Sequence, residues 1–308
     1  MSIADVALQH AARVLAATTA PGRVPPKMLG GRTANAFGLQ IGRILAARIG
    51  RRLRRRPRTD FPADLAALER DGVCVLRDFL PVDAFRAVRG EYVRAFDQRS
   101  RYPYFPIPSG TTLLEEISLD PQLIAKEFPA LWQHLCCNAR LLALVRSATR
   151  RPIHVAPVLK PQSVRPIPSA EIDTENLLHE DYYRYMLKAW LFLDDVDEKN
   201  APFVYVPGSH RVSLAKLLHE YTASLVLNGS PRVPDTIRQL MEVQERPILA
   251  PANTLVVACT SGFHRRSEWA GQGQRRAIHI DFRYLESWYN VLDVPRWLQA
   301  ARRAREAQ

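Results

Sequence analysis

The chain has 308 residues, 47% of them hydrophobic and 24% charged, which are ordinary values for a globular protein with room for an enzyme-sized core. Charges interrupt every apolar run before the roughly 18 residues that a membrane span requires, and Asp5, His10 and Arg13 fall inside what would have to be a signal peptide's apolar region. The net charge of +12 is concentrated at one end, because residues 1–58 hold twelve Lys or Arg against Asp5 alone (+11), leaving +1 for residues 59–308.

This asymmetry divides the chain into a basic N-terminal extension, residues 1–58, and a domain, residues 59–308. Within the extension, Phe37, Ile41, Leu45, Ile49 and Leu53 recur at near-helical spacing among arginines, the pattern of a basic amphipathic helix. Such a helix either packs on the domain, lies on an anionic membrane surface, or belongs to a transit segment or nucleic-acid tail. Nucleic acid is disfavoured, since the basic block has no interleaved Tyr or Trp for base stacking.

From residue 59, "DFPADLAALERDGVCVLRDFL" reads as a helix, an Asp71-Gly72 turn and a strand, and "PVDAFRAVRGEYVRAF" as a second helix. Residues 101–121, rich in Pro and Tyr, read as a loop, and a helical stretch follows to about residue 148. Its Cys136 and Cys137, with Cys74 and Cys259, form no CxxC and no zinc-finger spacing; they read as reduced, mostly buried thiols of a cytoplasmic protein. Beyond residue 151, short β-type runs such as "YMLKAWLFL", "FVYVPG" and "RAIHIDFRYL" are separated by turn residues, with a helical insertion of roughly 30 residues after Arg211. These runs predict an α+β protein with a mainly β core, an antiparallel sandwich or barrel of the jelly-roll kind.

The tripeptide "HED" at residues 179–181 puts a histidine and a carboxylate two apart, so a strand would turn His179 and Asp181 to one side and Glu180 to the other. Two imidazoles and one carboxylate form the facial triad of non-haem iron sites, which leaves positions open for co-substrate and oxygen. His264, in "CTSGFHRRSEW", is the candidate third ligand, placed in a loop after the strand "TLVVAC". His210 in "VPGSHR" reads as structural; His154 and His279 are open to either face; His10, His134 and His219 fall in helical segments without companion ligands.

"HED", "LKAWLFLDDVDEKNAPFVYVPGSHR", "NTLVVACTSGFHR" and "QRRAIHIDFR", with the upstream "LERDGVCVLRDFL", together resemble the phytanoyl-CoA dioxygenase family of iron(II)- and 2-oxoglutarate-dependent oxygenases over roughly residues 60–285. The resemblance implies a double-stranded β-helix, a cupin-like jelly roll with flanking helices. It also implies Fe(II) held by His179, Asp181 and His264, 2-oxoglutarate as co-substrate, and O2 as oxidant. Arg275 matches the family's arginine for the distal carboxylate of 2-oxoglutarate, a task suited to a planar guanidinium; Arg276 points to the opposite strand face. Trp190 matches an aromatic position bordering the co-substrate, with sheet core as its other reading.

The implied reaction is hydroxylation of an unactivated C–H, and the presence of Asp181 disfavours halogenation, whose enzymes lack the carboxylate ligand. Two departures stand out. Ala201 in "NAPF" replaces a usual glycine, which is accommodated if its dihedrals are not left-handed, and Arg265 and Arg266 either recognise an acidic substrate or project to solvent. The substrate is expected to be a small or lipid-linked, anionic molecule, selected by residues 101–121, 182–185 and 211–248 and met at the inner face of a membrane. A non-catalytic binding protein docking through the basic arm is the alternative, and no motif fixes an oligomeric state.

Overall fold

The computed structural model describes residues 32–150, 156–226 and 230–282; His10, His154 and the first 31 residues of the basic extension lie outside them. Helices α1 (Arg32–Ala36) and α2 (Leu39–Leu53) come first. Helix α3 (Pro62–Arg70) opens on a proline whose fixed φ suits a first turn, and Gly72, at φ 82°, reverses the chain into strand β1 (Val73–Leu76). Helix α4 (Val82–Asp97) then buries Ala84, Val88, Tyr92 and Ala95 along one face, completing the opening that the sequence predicts.

Residues 101–121 are not a loop. They form a hairpin of β2 (Tyr104–Ser109) and β3 (Thr112–Ile117) around Gly110, at φ 51°. Pro106 and Pro108 obscure this strand in the sequence because they cannot donate to a ladder, but β2 is the sheet's edge, where a missing N–H is tolerated. Helix α5 (Pro121–Glu127), capped by Asp120, and α6 (Ala139–Thr149), capped by Asn138, complete the expected helical stretch.

The remaining strands are β4 (Val158–Pro166), β5 (Leu187–Phe192), β6 (Phe203–Tyr205), β7 (Arg246–Pro247), β8 (Thr254–Cys259), β9 (His264–Arg266) and β10 (Arg275–Asp281). Helices α7 (Leu214–Leu225) and α8 (Asp235–Leu240) form the expected insertion. The strands make a seven-stranded antiparallel sheet, ordered β1-β8-β5-β10-β4-β3-β2, and a three-stranded sheet, ordered β7-β6-β9.

Period-two alternation sorts the large sheet's side chains. Leu187, Ala189 and Leu191 of β5, with Leu255 and Val257 of β8 and Ile278 and Ile280 of β10, join Leu68, Val88 and Leu141 in the helix-side core. The opposite face meets the small sheet, with Phe192, Val256 and Ala277 packed against Tyr205 and Phe203. The result is the mixed α/β jelly roll that the sequence predicts, with a cleft between its two sheets. Among the described residues, no helix is long and apolar enough to cross a membrane, and all four cysteines are free, Cys137 alone being exposed.

The "VPGSHR" turn is structural, as read from the sequence. Ser209 Oγ accepts the Phe263 N–H at 2.7 Å, and His210 presents its ring edge to Tyr185 at 6.1 Å between centroids. Burial, assisted by Arg211, pushes His210 down to about 4. Between pH 6.5 and 4 the unfolded chain therefore binds a proton that the folded chain resists, so stability falls as the pH falls through this window, by up to roughly 3 kcal/mol. Urea unfolding at pH 7 and pH 4.5 is expected to show a smaller acid loss in His210→Gln than in the parent; equal losses would contradict this.

Candidate metal centre

Residues 178–181 form no regular strand, yet they are held from both sides. His179 exchanges backbone hydrogen bonds with His264, its N–H donating at 2.9 Å and its carbonyl accepting at 2.8 Å, while the Asp181 N–H donates to Thr260 O at 2.9 Å. From the other flank, the insertion supplies Pro231 O to the Glu180 N–H at 3.2 Å. Extended backbone thereby turns His179 and Asp181 inward and Glu180 outward, the alternation expected of the tripeptide. His264 opens strand β9 instead of lying in a loop, because "GFH" pairs with both His179 and Tyr205.

The three side chains converge, with one ligand atom from each within 4.8 Å of the others. His179 Nδ1 lies 2.8 Å from Leu177 O, and His264 Nδ1 2.8 Å from Gly262 O. A carbonyl can only accept, so both Nδ1 atoms carry the proton and both Nε2 lone pairs face inward. Asp181 Oδ1 stands 4.0 Å from His179 Nε2 and 3.6 Å from His264 Nε2, while Oδ2 accepts from Lys188 Nζ at 2.8 Å. Gly262 keeps this corner tight: a Cβ there would fall 1.9 Å from Tyr205 Oη, which itself donates to Cys259 O at 2.8 Å.

The electrostatics suit a cation. Burial, then the neighbouring His264, pushes His179 down to about 4, leaving it neutral near pH 7. Burial alone would raise Asp181, but His264 and Lys188 outweigh it and hold the carboxyl below its ordinary range. Burial likewise works against the Lys188 ammonium, and Asp181 reverses the sign.

A cavity of about 290 Å³ opens beside the triad, between the sheets. Arg275 and Trp190 both line it. Trp190 stacks on His279 with centroids 5.1 Å apart and planes 10° from parallel, and Phe203 lies 5.1 Å from Trp190 and 5.6 Å from His264. Arg275 Nη1 donates to Asn200 O at 3.3 Å and to Ala201 O. No carboxylate pairs with it among the described residues, and burial, then Arg266, pushes it down to about 9. Arg276, on the helix side of β10, is occupied by Asp194 through Nε at 2.9 Å and Nη2 at 2.5 Å.

Two expectations change here. Ala201 does adopt a left-handed conformation, φ 54°, which costs an L-residue about 1–2 kcal/mol; the turn aims its carbonyl at Arg275. Arg265 and Arg266 do not project to solvent: both line the cavity, and each already has a carboxylate partner. Arg265 Nε donates to Glu245 at 2.6 Å and Arg266 Nη2 to buried Asp173 at 3.0 Å, partners too distant in sequence to pair by inspection.

Lys188 and His279 also line the cavity, as alternation requires of them: Lys188 shares a face with Trp190, and His279 with Arg275. Burial, then Lys188 and Lys160, holds His279 well below its ordinary value, and its Nε2 has no hydrogen-bond partner among the described residues.

A two-sheet jelly roll that brings two histidines and an aspartate together beside a half-buried arginine with no carboxylate partner among the described residues has the fold and donor set of a mononuclear non-haem iron oxygenase. The family model for phytanoyl-CoA dioxygenase matches residues 68–245, more than half of the chain, and the chain belongs to that family. Among solved structures, EctD from S. alaskensis with bound Fe is similar at TM-score 0.53 and 14% identity, covering 74% of this chain and 79% of EctD. The epimerase SnoN, in complex with Fe3+, alpha ketoglutarate and nogalamycin RO, is similar at TM-score 0.50 and 15% identity, covering 71% of this chain and 82% of SnoN. At these identities the two structures speak for the fold. No curated protein sequence matched the chain.

Proposed function

We propose that this oxygenase holds one iron(II) through His179, Asp181 and His264, receives 2-oxoglutarate on Arg275 with Trp190 at its border, and hydroxylates an unactivated C–H of a small molecule. The observation carrying this reading is Arg275. Of the four arginines at residues 265, 266, 275 and 276, the other three have carboxylate partners, and Arg275 alone presents a half-buried guanidinium to the cavity with no carboxylate partner among the described residues. Burying such a charge is costly unless a ligand anion completes it.

Bound iron(II) supplies oxygen activation coupled to decarboxylation of 2-oxoglutarate. The protein's own groups do the positioning. Leu177 O and Gly262 O fix the imidazole tautomers, Lys188 turns Asp181 so that Oδ1 faces both histidines, and the carbonyls of Asn200 and Ala201 orient Arg275. Trp190, His279 and Phe203 form an aromatic wall that limits water around the reacting atoms. Because Asp181 fills the third ligand position, hydroxylation is favoured over halogenation.

Substrate choice falls to the rest of the cavity. Its volume of about 290 Å³ is at the small end of ligand sites, roughly 300–1,000 Å³. Lys160 meets Glu116 at 3.1 Å, and Gln162 Nε2 donates to Glu116 at 2.7 Å. This local neutrality, with Arg265 and Arg266 already paired, favours a compact polar substrate segment over an anionic group at the reacting carbon.

In iron-loaded protein without oxygen, Arg275→Gln is expected to weaken 2-oxoglutarate binding about 30-fold or more, as loss of a buried charged partner does. Iron affinity should remain unchanged. Calorimetry showing 2-oxoglutarate affinity within about threefold of the parent would remove Arg275 from this role.

A further inference from the structure

Helix α2 is docked the wrong way round for an ordinary surface helix. Its domain-facing positions are Gln40, Arg43 and Ile44, buried, whereas its apolar stripe faces outward: Leu45 is 40% exposed, Ile49 55% and Leu53 81%, with Phe37, just before the helix, at 88%. The inward face is held by polar contacts, with Gln40 Nε2 donating to Glu220 Oε2 of α7 at 3.0 Å and Arg43 Nη1 to Gln40 Oε1 at 2.6 Å. Two further arginine contacts clamp the helix to the segment after Asp181: Arg43 lies 4.5 Å over the Tyr183 ring and Arg51 3.8 Å over the Tyr185 ring.

A helix that spends its polar face on the domain and leaves four large apolar side chains outside is built to bury that stripe elsewhere. Charge identifies the occupant. Arg52, Arg55 and Arg58 are exposed beside or just beyond the stripe, Arg56 being paired with Glu69, and no Asp or Glu occurs between residues 32 and 58. Apolar side chains flanked by arginines match the boundary between acyl chains and anionic headgroups, where burial and attraction act together. A second protein copy would bring the same excess of positive charge to the contact, and a free polyanion would have no use for the apolar stripe.

We propose that the outward face of α2, from Phe37 to Leu53, is a docking surface for an anionic lipid bilayer, seating the domain on it peripherally. The proposal is independent of the assignment of the iron site, since it is read without activity.

The test is sedimentation of the full chain with vesicles of pure phosphatidylcholine and of phosphatidylcholine with phosphatidylglycerol, for the parent, Ile49→Glu/Leu53→Glu, and Arg52→Ala/Arg55→Ala. The parent should partition at least about tenfold more strongly to the anionic vesicles, each double variant should lose about tenfold or more, and thermal unfolding should stay close to that of the parent because the altered side chains are exposed. Absence of binding by the parent, equal binding to both vesicle types, or binding unchanged by Ile49→Glu/Leu53→Glu would overturn the proposal. A loss caused by the arginine changes alone would instead indicate a soluble polyanion. Disappearance of a concentration-dependent dimer in the apolar variant would indicate self-association.

Discussion

Asp181→Ala is expected to abolish measurable iron(II) binding while leaving the fold intact. Three changes act in the same direction. The substitution removes the only anionic donor of the triad, whose Oδ1 faces His179 and His264 at 4.0 and 3.6 Å. It leaves only two imidazole donors, which alone are weak ligands for iron(II) compared with the complete facial set. It also releases the Lys188 ammonium, now 2.8 Å from Asp181 Oδ2, to stand as an uncompensated cation beside the metal position. Loss of groups that merely orient ligands typically costs 10–100-fold in metal affinity, so loss of the carboxylate itself should exceed about 100-fold. Anaerobic calorimetry reads the affinity and thermal unfolding the fold; retention within about threefold would remove Asp181 from the ligand set.

Lys216→Met is expected to destabilise the protein by about 3–5 kcal/mol, the largest single effect on folding. Glu180, turned away from the triad, is fully buried, as are Lys216 and His219 at 3% and 0% exposure. Lys216 Nζ pairs with Glu180 Oε2 and also donates to Ser261 O, and His219 Nε2 stands 3.2 Å from Glu180 Oε1. Methionine keeps much of the volume but removes the main positive charge facing a carboxylate shut off from water, and the cost is that of the charge left behind. Glu180→Gln/Lys216→Met, which removes both charges, should recover more than half of the loss. Urea unfolding of the parent, Glu180→Gln, Lys216→Met and the double variant decides. A cost under about 1 kcal/mol for Lys216→Met would show the pair to be dispensable, and an additive double variant would show the residues to be uncoupled.

This pair also shows how far the sequence could be read. That Glu180 turns away from the metal follows from alternation alone, but its partners on α7 lie 36 and 39 positions downstream and needed the fold to find them. The triad was legible because "HED" and "GFH" sit in segments whose strand character and family resemblance are both strong. The placing of Arg275 and Arg276 on opposite faces of their strand was legible from alternation, and the structure shows Arg276 held by Asp194.

Other features were hidden by identifiable causes. The β2–β3 hairpin was masked by Pro106 and Pro108, which read as breakers until β2 is known to be an edge strand. The left-handed turn at Ala201 was masked by an alanine where glycine is usual. The orientation of α2 could not be read from periodicity, because an apolar stripe fixes which residues share a face and says nothing about which face the domain covers.

One anaerobic titration decides whether this oxygenase uses iron(II) and 2-oxoglutarate through His179, Asp181, His264 and Arg275. Adding 2-oxoglutarate to the iron(II)-loaded full chain should produce the visible charge-transfer absorption of a chelated 2-oxo acid, which should decay on admitting oxygen as succinate appears. The absorption should require higher 2-oxoglutarate in Arg275→Gln and be absent in Asp181→Ala. No absorption and no succinate from the parent at saturating iron(II) and 2-oxoglutarate, or an absorption unchanged in Asp181→Ala, would contradict that use.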